Sequence, residues 1–381
     1  MHAWVEVDLE AIRSNVRSIR AALSPGTDFI AMVKGNAYGH GAVEVANAVL
    51  QAGASHLGVA FPAEGSELRR AGIKAPILVL GSFGEEDIPE LLAQRMTPAV
   101  ADLSLAAALA QAARARGLCV PVHVEVDTGM GRLGIDWRNA AAVVEDIAFL
   151  SGLSVQGIYT HFSTADEDDR TFTRMQARRF QQVSDSLRQR GVFIPFRHYS
   201  NSAGILHHPD LTLDAVRPGL ALYGLYPSPG AYGHIHLIPA LAFRSRVVLV
   251  KRLPAGSFIS YGRSHRLEEP RFVATVSVGY ADGYPRSLGS KAQVLIGGVR
   301  YPVIGRVTMD HIMVDVGRDD PKLPRGATVT LVGRDQGDAI SAEELADLCG
   351  TINYEITTRI SHRAVRVFKG RAAPTDLPSV T

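Results

Sequence analysis

The chain has 381 residues, 46% of them hydrophobic and 20% charged, with a net charge of +2. That length exceeds one ordinary core and predicts two domains, and the balance excludes a global electrostatic pull toward nucleic acid or a membrane. No apolar run reaches the roughly 18 residues of a membrane span, the acidic opening stretch (Glu6, Asp8, Glu10) lacks a signal-peptide core, and Cys119 and Cys349 alone build no disulfide framework, so the expected compartment is the cytoplasm.

Residues 1–7 are expected to contribute a strand to the second domain. Residues 8–23 place Leu9, Ile12, Val16 and Ile19 at helical spacing, predicting an amphipathic helix. Eight apolar, β-branched runs follow, at 29–34, 57–61, 76–81, 97–101, 120–127, 155–161, 196–200 and 215–224. They show little alternation, as parallel strands buried on both faces do. Ala-rich stretches such as 104–116, and the stretch 172–190, read as covering helices. This predicts an α/β fold, a (β/α)8 TIM barrel over residues 8–230, with an open doubly wound sheet as the alternative.

After Pro227 the texture changes. Pro and Gly crowd residues 226–233, an interdomain crossing by composition. Alternating runs at 243–250, 272–278, 292–296, 301–304, 311–316 and 328–332 then predict a mostly β domain over 231–381. Within it, 341–348 reads as a helix with Ser341 as N-cap and Glu344 completing a capping box.

In a parallel barrel the active site lies at the C-terminal ends of the strands. The first run closes with Lys34, followed by a glycine-rich Gly35-Asn36-Ala37-Tyr38-Gly39-His40-Gly41. A lysine at the end of an apolar strand loses solvation, which favours the neutral amine needed to bond a carbonyl carbon; the ordinary reading is a solvated lysine at a strand exit. The fifth run closes with Asp127-Thr128 and a formal G-x-G-x-x-G, Gly129 to Gly134. A dinucleotide loop there lacks the ribose-binding acid at the end of the next strand, and Arg132 is better explained as an anion or phenolate contact. The seventh run is followed by Asn201-Ser202-Ala203-Gly204 and the eighth contains Arg217-Pro218-Gly219-Leu220. Loops after strands seven and eight commonly bind phosphate in barrels. A lysine after strand one together with a phosphate cradle there suggests pyridoxal phosphate.

In the second domain Tyr280 sits between Gly279 and Ala281, which leave its phenol accessible, and Tyr354 is another candidate; tyrosines at strand ends mostly just pack. His234 and His236, and likewise His207-His208, read as surface histidines rather than metal ligands, and no catalytic metal is expected.

At these residues the chain resembles the alanine racemases, fold-type III pyridoxal-phosphate enzymes. The resemblance covers nearly the whole length and rests on Val33-Lys34, Asn36 to Gly41, Val126 to Gly134, Thr160-His161-Phe162, Asn201-Ser202, Val216 to Gly219, Gly279 to Gly283, Gly305 to Asp310 and Thr351 to Glu355. It implies a barrel joined to a β domain, an enzyme supplying D-alanine for peptidoglycan, and a homodimer with active sites shared between subunits. It further implies that Lys34 holds the cofactor and is one base, and that Tyr280, from the partner subunit, is the second. Arg217 would face the pyridine nitrogen and His161 would link Arg217 to Tyr280. Tyr38, Asn201, Ser202, Gly219, Leu220 and Tyr354 would bind the cofactor. Arg132 would contact the phenolic oxygen and the substrate carboxylate, and the Met309 N–H that carboxylate as well. Inverting a stereocentre requires proton removal on one face and delivery on the other, hence two bases; a phenol of ordinary pKa, about 10, is a poor base at neutral pH, so cationic neighbours are needed to lower it.

Many family members carry a carbamylated lysine seven residues before the loop arginine; this chain has Glu125. The expectation is a permanent carboxylate that orients Arg132 without carbon dioxide. A racemase of other specificity, such as serine, a fold-type III decarboxylase of basic amino acids and a non-enzymatic pyridoxal-phosphate carrier are the competing readings.

Overall fold

Eight parallel strands close a barrel: Asp28–Met32, His56–Val59, Ile77–Val79, Thr97–Val100, Val120–Asp127, Leu153–Tyr159, Phe196–Asn201 and Ala215–Arg217. Each pairs with its successor and the eighth returns to the first, Ala215 opposite Asp28. The predicted (β/α)8 architecture is what the chain adopts. The computed structural model describes residues 2–233 and 235–370, so His234 lies outside the described residues. These divide into two compact units: residues 11–37 with 42–233 and 235–238, which hold the barrel, and residues 2–10, 38–41 and 239–370.

The first barrel strand buries both faces, with Phe29, Ile30 and Ala31 fully enclosed, which is why its sequence shows no period of two; Val120–Asp127 does alternate, valine with His123 and Glu125, yet those polar side chains are buried as well. The helix Leu103–Ala115 shows how the outer layer is specified. Asp102 caps it by accepting from Leu105 N–H (2.8 Å), and Ala106, Leu109, Ala110 and Ala113 form its buried stripe at i, i+3, i+4 and i+7. Burying Leu109 contributes about 2 kcal/mol. The eighth run is shorter than predicted. It stops at Arg217 because Pro218 has no N–H to continue the ladder, and Leu220–Tyr223 turns as a 3-10 helix capped by left-handed Gly224 (φ 78°).

The other unit contains a six-stranded antiparallel ring: Leu241–Leu253, Arg271–Val276, Ile312–Gly317, Val299–Ile304, Gln293–Ile296 and Thr328–Asp335, the last pairing back onto the first. Leu241, Phe243 and Val247 face inward at alternate positions, the pattern of a sheet with one buried face. The strand Ala3–Asp8 pairs antiparallel with Leu241–Leu253 and parallel with Val365–Lys369. Ser341 does cap Ala342–Cys349, accepting from Glu344 N–H (3.0 Å). The reciprocal half of the capping box is missing because the Glu344 carboxylate is bound by Arg300 Nη1 (2.7 Å), a charge-assisted partner. His207 and His208 are not surface residues: both are buried, and His207 Nε2 lies 3.0 Å from Ser228 Oγ.

Candidate active site

Lys34 follows the first barrel strand, at its C-terminal end. Val33 N–H donates to Gly58 O (2.8 Å) and Met32 N–H to Pro218 O (3.0 Å), so neighbouring strands grip the lysine's approach. Beyond it the chain enters an unusual turn. Gly35, Asn36 and Ala37 have φ/ψ of 62/43, 52/48 and 53/52°, and Tyr38 continues at φ 53°. This is a turn of left-handed helix, costing about 1–2 kcal/mol per non-glycine residue. Two side chains hold it. Glu64 accepts from Gly35 N–H (2.7 Å) with one oxygen and from Ala60 N–H (2.7 Å) with the other, and Asn36 Oδ1 accepts from Ala42 N–H (2.8 Å).

The Lys34 amine is pushed below its ordinary value first by burial and then by the charge of Arg132; Arg217 adds to this and Glu64 and Glu125 oppose it. Arg217 is buried, and burial brings its guanidinium down to about 10, which leaves it cationic at neutral pH. Its Nη1 donates to His198 Nδ1 (2.6 Å), and its Nη2 to Thr160 O (2.8 Å), Tyr199 O (3.2 Å) and His161 Nδ1 (3.3 Å). An arginine only donates, so these contacts fix the tautomers. His198 Nδ1 and His161 Nδ1 must accept, leaving each Nε2 protonated. His198 Nε2 then donates to His123 Nδ1 (2.8 Å). Burial and the Arg217 charge hold the His161 and His198 imidazoles well below their usual range, so both are neutral.

Glu125 does not orient Arg132 by direct contact. Its carboxylate accepts from the Tyr159 hydroxyl (2.9 Å), and the Tyr159 ring lies 5.0 Å from the Arg217 guanidinium carbon and stacks on His198. Tyr159, on the adjacent strand, is nearer than the loop arginine and takes the acceptor. Arg132 stands exposed and makes no hydrogen bond or ion pair among the described residues. The loop before it is wound around an acid: Gly129 and Gly131 N–H both donate to the Asp127 carboxylate (2.8 and 3.1 Å). The donors a dinucleotide loop would aim at pyrophosphate are already used.

After strands seven and eight, Asn201 caps Ser202–His207 by accepting from Gly204 N–H (2.8 Å). Ser202 Oγ accepts from Gly219 N–H (2.9 Å) and Ala221 N–H (3.2 Å). Its own hydroxyl hydrogen remains available, and the Leu220 N–H between those donors has no partner among the described residues. Both suit an anion.

Tyr38, Tyr280, Met309 and Tyr354 belong to the other unit. There Tyr38 and Tyr354 lie with ring centroids 6.2 Å apart. Tyr280 N–H donates to Thr308 O (3.0 Å) and Ala281 N–H to Met309 O (3.1 Å), so the Tyr280 loop is zipped to the Met309 loop. Gly279 is required by that closeness, since a Cβ on it would lie 2.2 Å from Met309 O. The Met309 N–H has no partner among the described residues. Among them, no group of three His, Cys, Asp or Glu side chains is placed to hold a metal ion, and no helix is long and apolar enough to cross a membrane.

Sequence reading missed Glu64, Tyr159, His123 and His198. His198 lies fully buried in the seventh barrel strand, where a polar ring demands a partner, and its place in a strand covered on both faces was the available signal.

Residues 7–227 match the family model of the alanine racemase N-terminal domain and residues 240–368 that of the alanine racemase C-terminal domain. The alanine racemase of Desulforamulus reducens is 44% identical over 369 residues, 96% of this chain and 99% of its own. That of Symbiobacterium thermophilum is 45% identical over 370 residues, 97% and 98% of the two chains. Among solved structures, the alanine racemase of Clostridium difficile superposes with a TM-score of 0.93 at 37% identity, covering 97% of this chain and 96% of that one. The alanine racemase of Bartonella henselae with covalently bound pyridoxal phosphate does so with a TM-score of 0.87 at 28% identity, covering 97% and 100%.

Proposed function

Because the chain belongs to the alanine racemase family of pyridoxal-phosphate-dependent isomerases, we propose that it interconverts L- and D-alanine with Lys34 and Tyr280 as its two proton-transferring groups. The observation that carries this reading is the Lys34 amine, lowered by burial at the end of the first barrel strand. The residues present fit the cofactor. Lys34 offers an amine shifted toward its neutral form, Ser202 O–H and Leu220 N–H are donors for a phosphate, and the Arg217 Nε–H, without a partner among the described residues, is one for the pyridine nitrogen. When bound, pyridoxal phosphate withdraws electrons from the amino acid's Cα and acidifies its C–H bond.

The chain's own residues supply the rest. Lys34 Nζ takes or returns the α-proton on one face and Tyr280 Oη on the other. Arg217, held cationic at neutral pH, would donate a hydrogen bond to the pyridine nitrogen while keeping its own proton, which would leave that nitrogen unprotonated and the electron withdrawal moderate. His161, neutral with its hydrogen on Nε2, is a donor able to stabilise a tyrosinate. Arg132, with no bond to any described residue, and the Met309 N–H are left for the substrate carboxylate, while Tyr38 and Tyr354 complete the phosphate contacts. Tyr280 is 40% and Met309 52% exposed, which supports a homodimer in which each chain's tyrosine serves its partner's lysine, and the two free cysteines fit the cytoplasm. The relatives are named alanine racemases, and no observation favours serine.

Incubation with L-alanine in heavy water, following α-proton exchange and optical rotation together, tests the reading. Rotation decaying to zero with deuterium incorporation supports it, and exchange with rotation preserved overturns the two-base mechanism. A fully active monomer in sedimentation would refute the shared site.

A further inference from the structure

The loops bearing Tyr280 and Met309 are joined along their backbones, and a third segment joins them again through side chains. Arg363 Nε lies 3.2 Å from Asp282 Oδ1, and its Nη2 lies 2.8 Å from Asp310 Oδ1. Asp282 is two residues from Tyr280 and Asp310 directly follows Met309. Asp282 is fully buried, and its other oxygen accepts from Gly279 N–H (2.9 Å), the peptide that leads into Tyr280. His2 Nε2 also meets Asp282 Oδ1 at 3.0 Å, and Ser361 N–H donates to Asp282 O (3.1 Å), which ties Arg363's own segment to the same loop. A planar guanidinium spans two carboxylates at once, whereas an ammonium is a point charge that satisfies one.

We propose that Arg363 is a positioning residue for the proton-transferring phenol, holding Tyr280 at a fixed distance from the Met309 N–H. The chemistry requires this. The phenol must come within about 2.6–3.2 Å of the atom it deprotonates, while the Met309 N–H fixes the substrate by its carboxylate. A relative slip of about 1 Å costs on the order of 100-fold in rate. The proposal rests on Tyr280 being the second base.

L- and D-alanine are enantiomers with an equilibrium constant of one, so any variant must lose kcat/KM equally in both directions. The discriminating readout is therefore the deuterium isotope effect on each enantiomer; L-alanine is assigned to Tyr280, an assignment checked by the loss of L-alanine α-proton exchange in Tyr280→Phe. In the cofactor-loaded protein, Arg363→Met should lower kcat/KM by about 100-fold and raise the isotope effect on L-alanine more than that on D-alanine. Asp310→Asn, which cuts only the exposed arm, should move both readouts the same way with a smaller amplitude, and Arg363→Lys should fall between. Activity falling only in proportion to loaded protein, with both isotope effects unchanged, would overturn the proposal. Tyr280→Phe separates the two ideas. If it still racemises, the reading of Tyr280 fails and the clamp with it. If it exchanges only the D-enantiomer's α-proton while Arg363→Met leaves the isotope effects alone, the clamp alone is wrong.

Discussion

Burial, then the charges of His56 and Arg217, hold the His123 imidazole down at about 3, against about 6.5 for a solvated one. Between those values the unfolded chain binds a proton that the folded chain does not. Stability is therefore fully present above about pH 6.5 and is lost as pH falls. From pH 7 to pH 5 the folded ring stays neutral, so the loss is set by protonation of the unfolded ring and comes to about 2 kcal/mol. Against a typical total of 5–15 kcal/mol that is a large share, and His198 and His161 are shifted in the same direction. His123→Gln replaces the titrating ring with an amide whose oxygen can still accept from His198 Nε2. The acid loss between pH 7 and 5 should shrink by about 2 kcal/mol. Urea unfolding of the cofactor-loaded protein at both pH values measures it. The chain has two tryptophans, so a Trp4→Phe background leaves Trp137, in the barrel unit, to report. An identical acid loss in variant and parent would refute the reasoning.

Two further outcomes are expected. Glu125→Lys removes the acceptor of the Tyr159 hydroxyl and places a cation near Arg217; activity should fall about tenfold or more, the scale of a lost hydrogen bond to a charged group, and recover with bicarbonate. Assays with and without bicarbonate check this, and activation of the unmodified protein would show that Glu125 is no substitute for a carbamate. Gly279→Ala sets a Cβ 2.2 Å from a backbone oxygen, which no rotamer change relieves. The loops must part, with kcat/KM falling on the order of 100-fold and about 1–3 kcal/mol of stability lost; near-normal kinetics would show that the loops are not rigidly paired.

The barrel was legible because most of its strands are short apolar runs with little alternation, such as Asp28–Met32 and Ile77–Val79, and its helices carry 3.6-period stripes, as in Leu103–Ala115. Lys34, Ser202 and Arg217 were legible for a topological reason: they close or follow strands one, seven and eight, where a barrel places its chemistry. Bonds between residues far apart in the sequence were not. Glu64 resembles a plain first-turn glutamate, and nothing local says that one of its oxygens reaches Gly35, 29 residues earlier. The expectation that Glu125 orients Arg132 rests on the family's carbamylated lysine at that position, whereas its hydrogen-bond partner is Tyr159, 34 residues away on the neighbouring strand. The left-handed turn after Lys34 was equally hidden, since Asn36, Ala37 and Tyr38 have no intrinsic preference strong enough to announce it.

The place of the strand Ala3–Asp8 bears on how the protein is made. Its two sheet partners are Leu241–Leu253 and Val365–Lys369, so it is translated long before either exists. At about 5–20 residues per second, a ribosome needs on the order of 10 to 50 seconds to reach the first of them. The eight barrel strands are complete before then and can fold while chain growth continues, whereas the opening strand must wait with its ladder groups unpaired. Its Glu6 and Asp8 are charges of the kind that discourages edge-to-edge pairing with another chain during that interval.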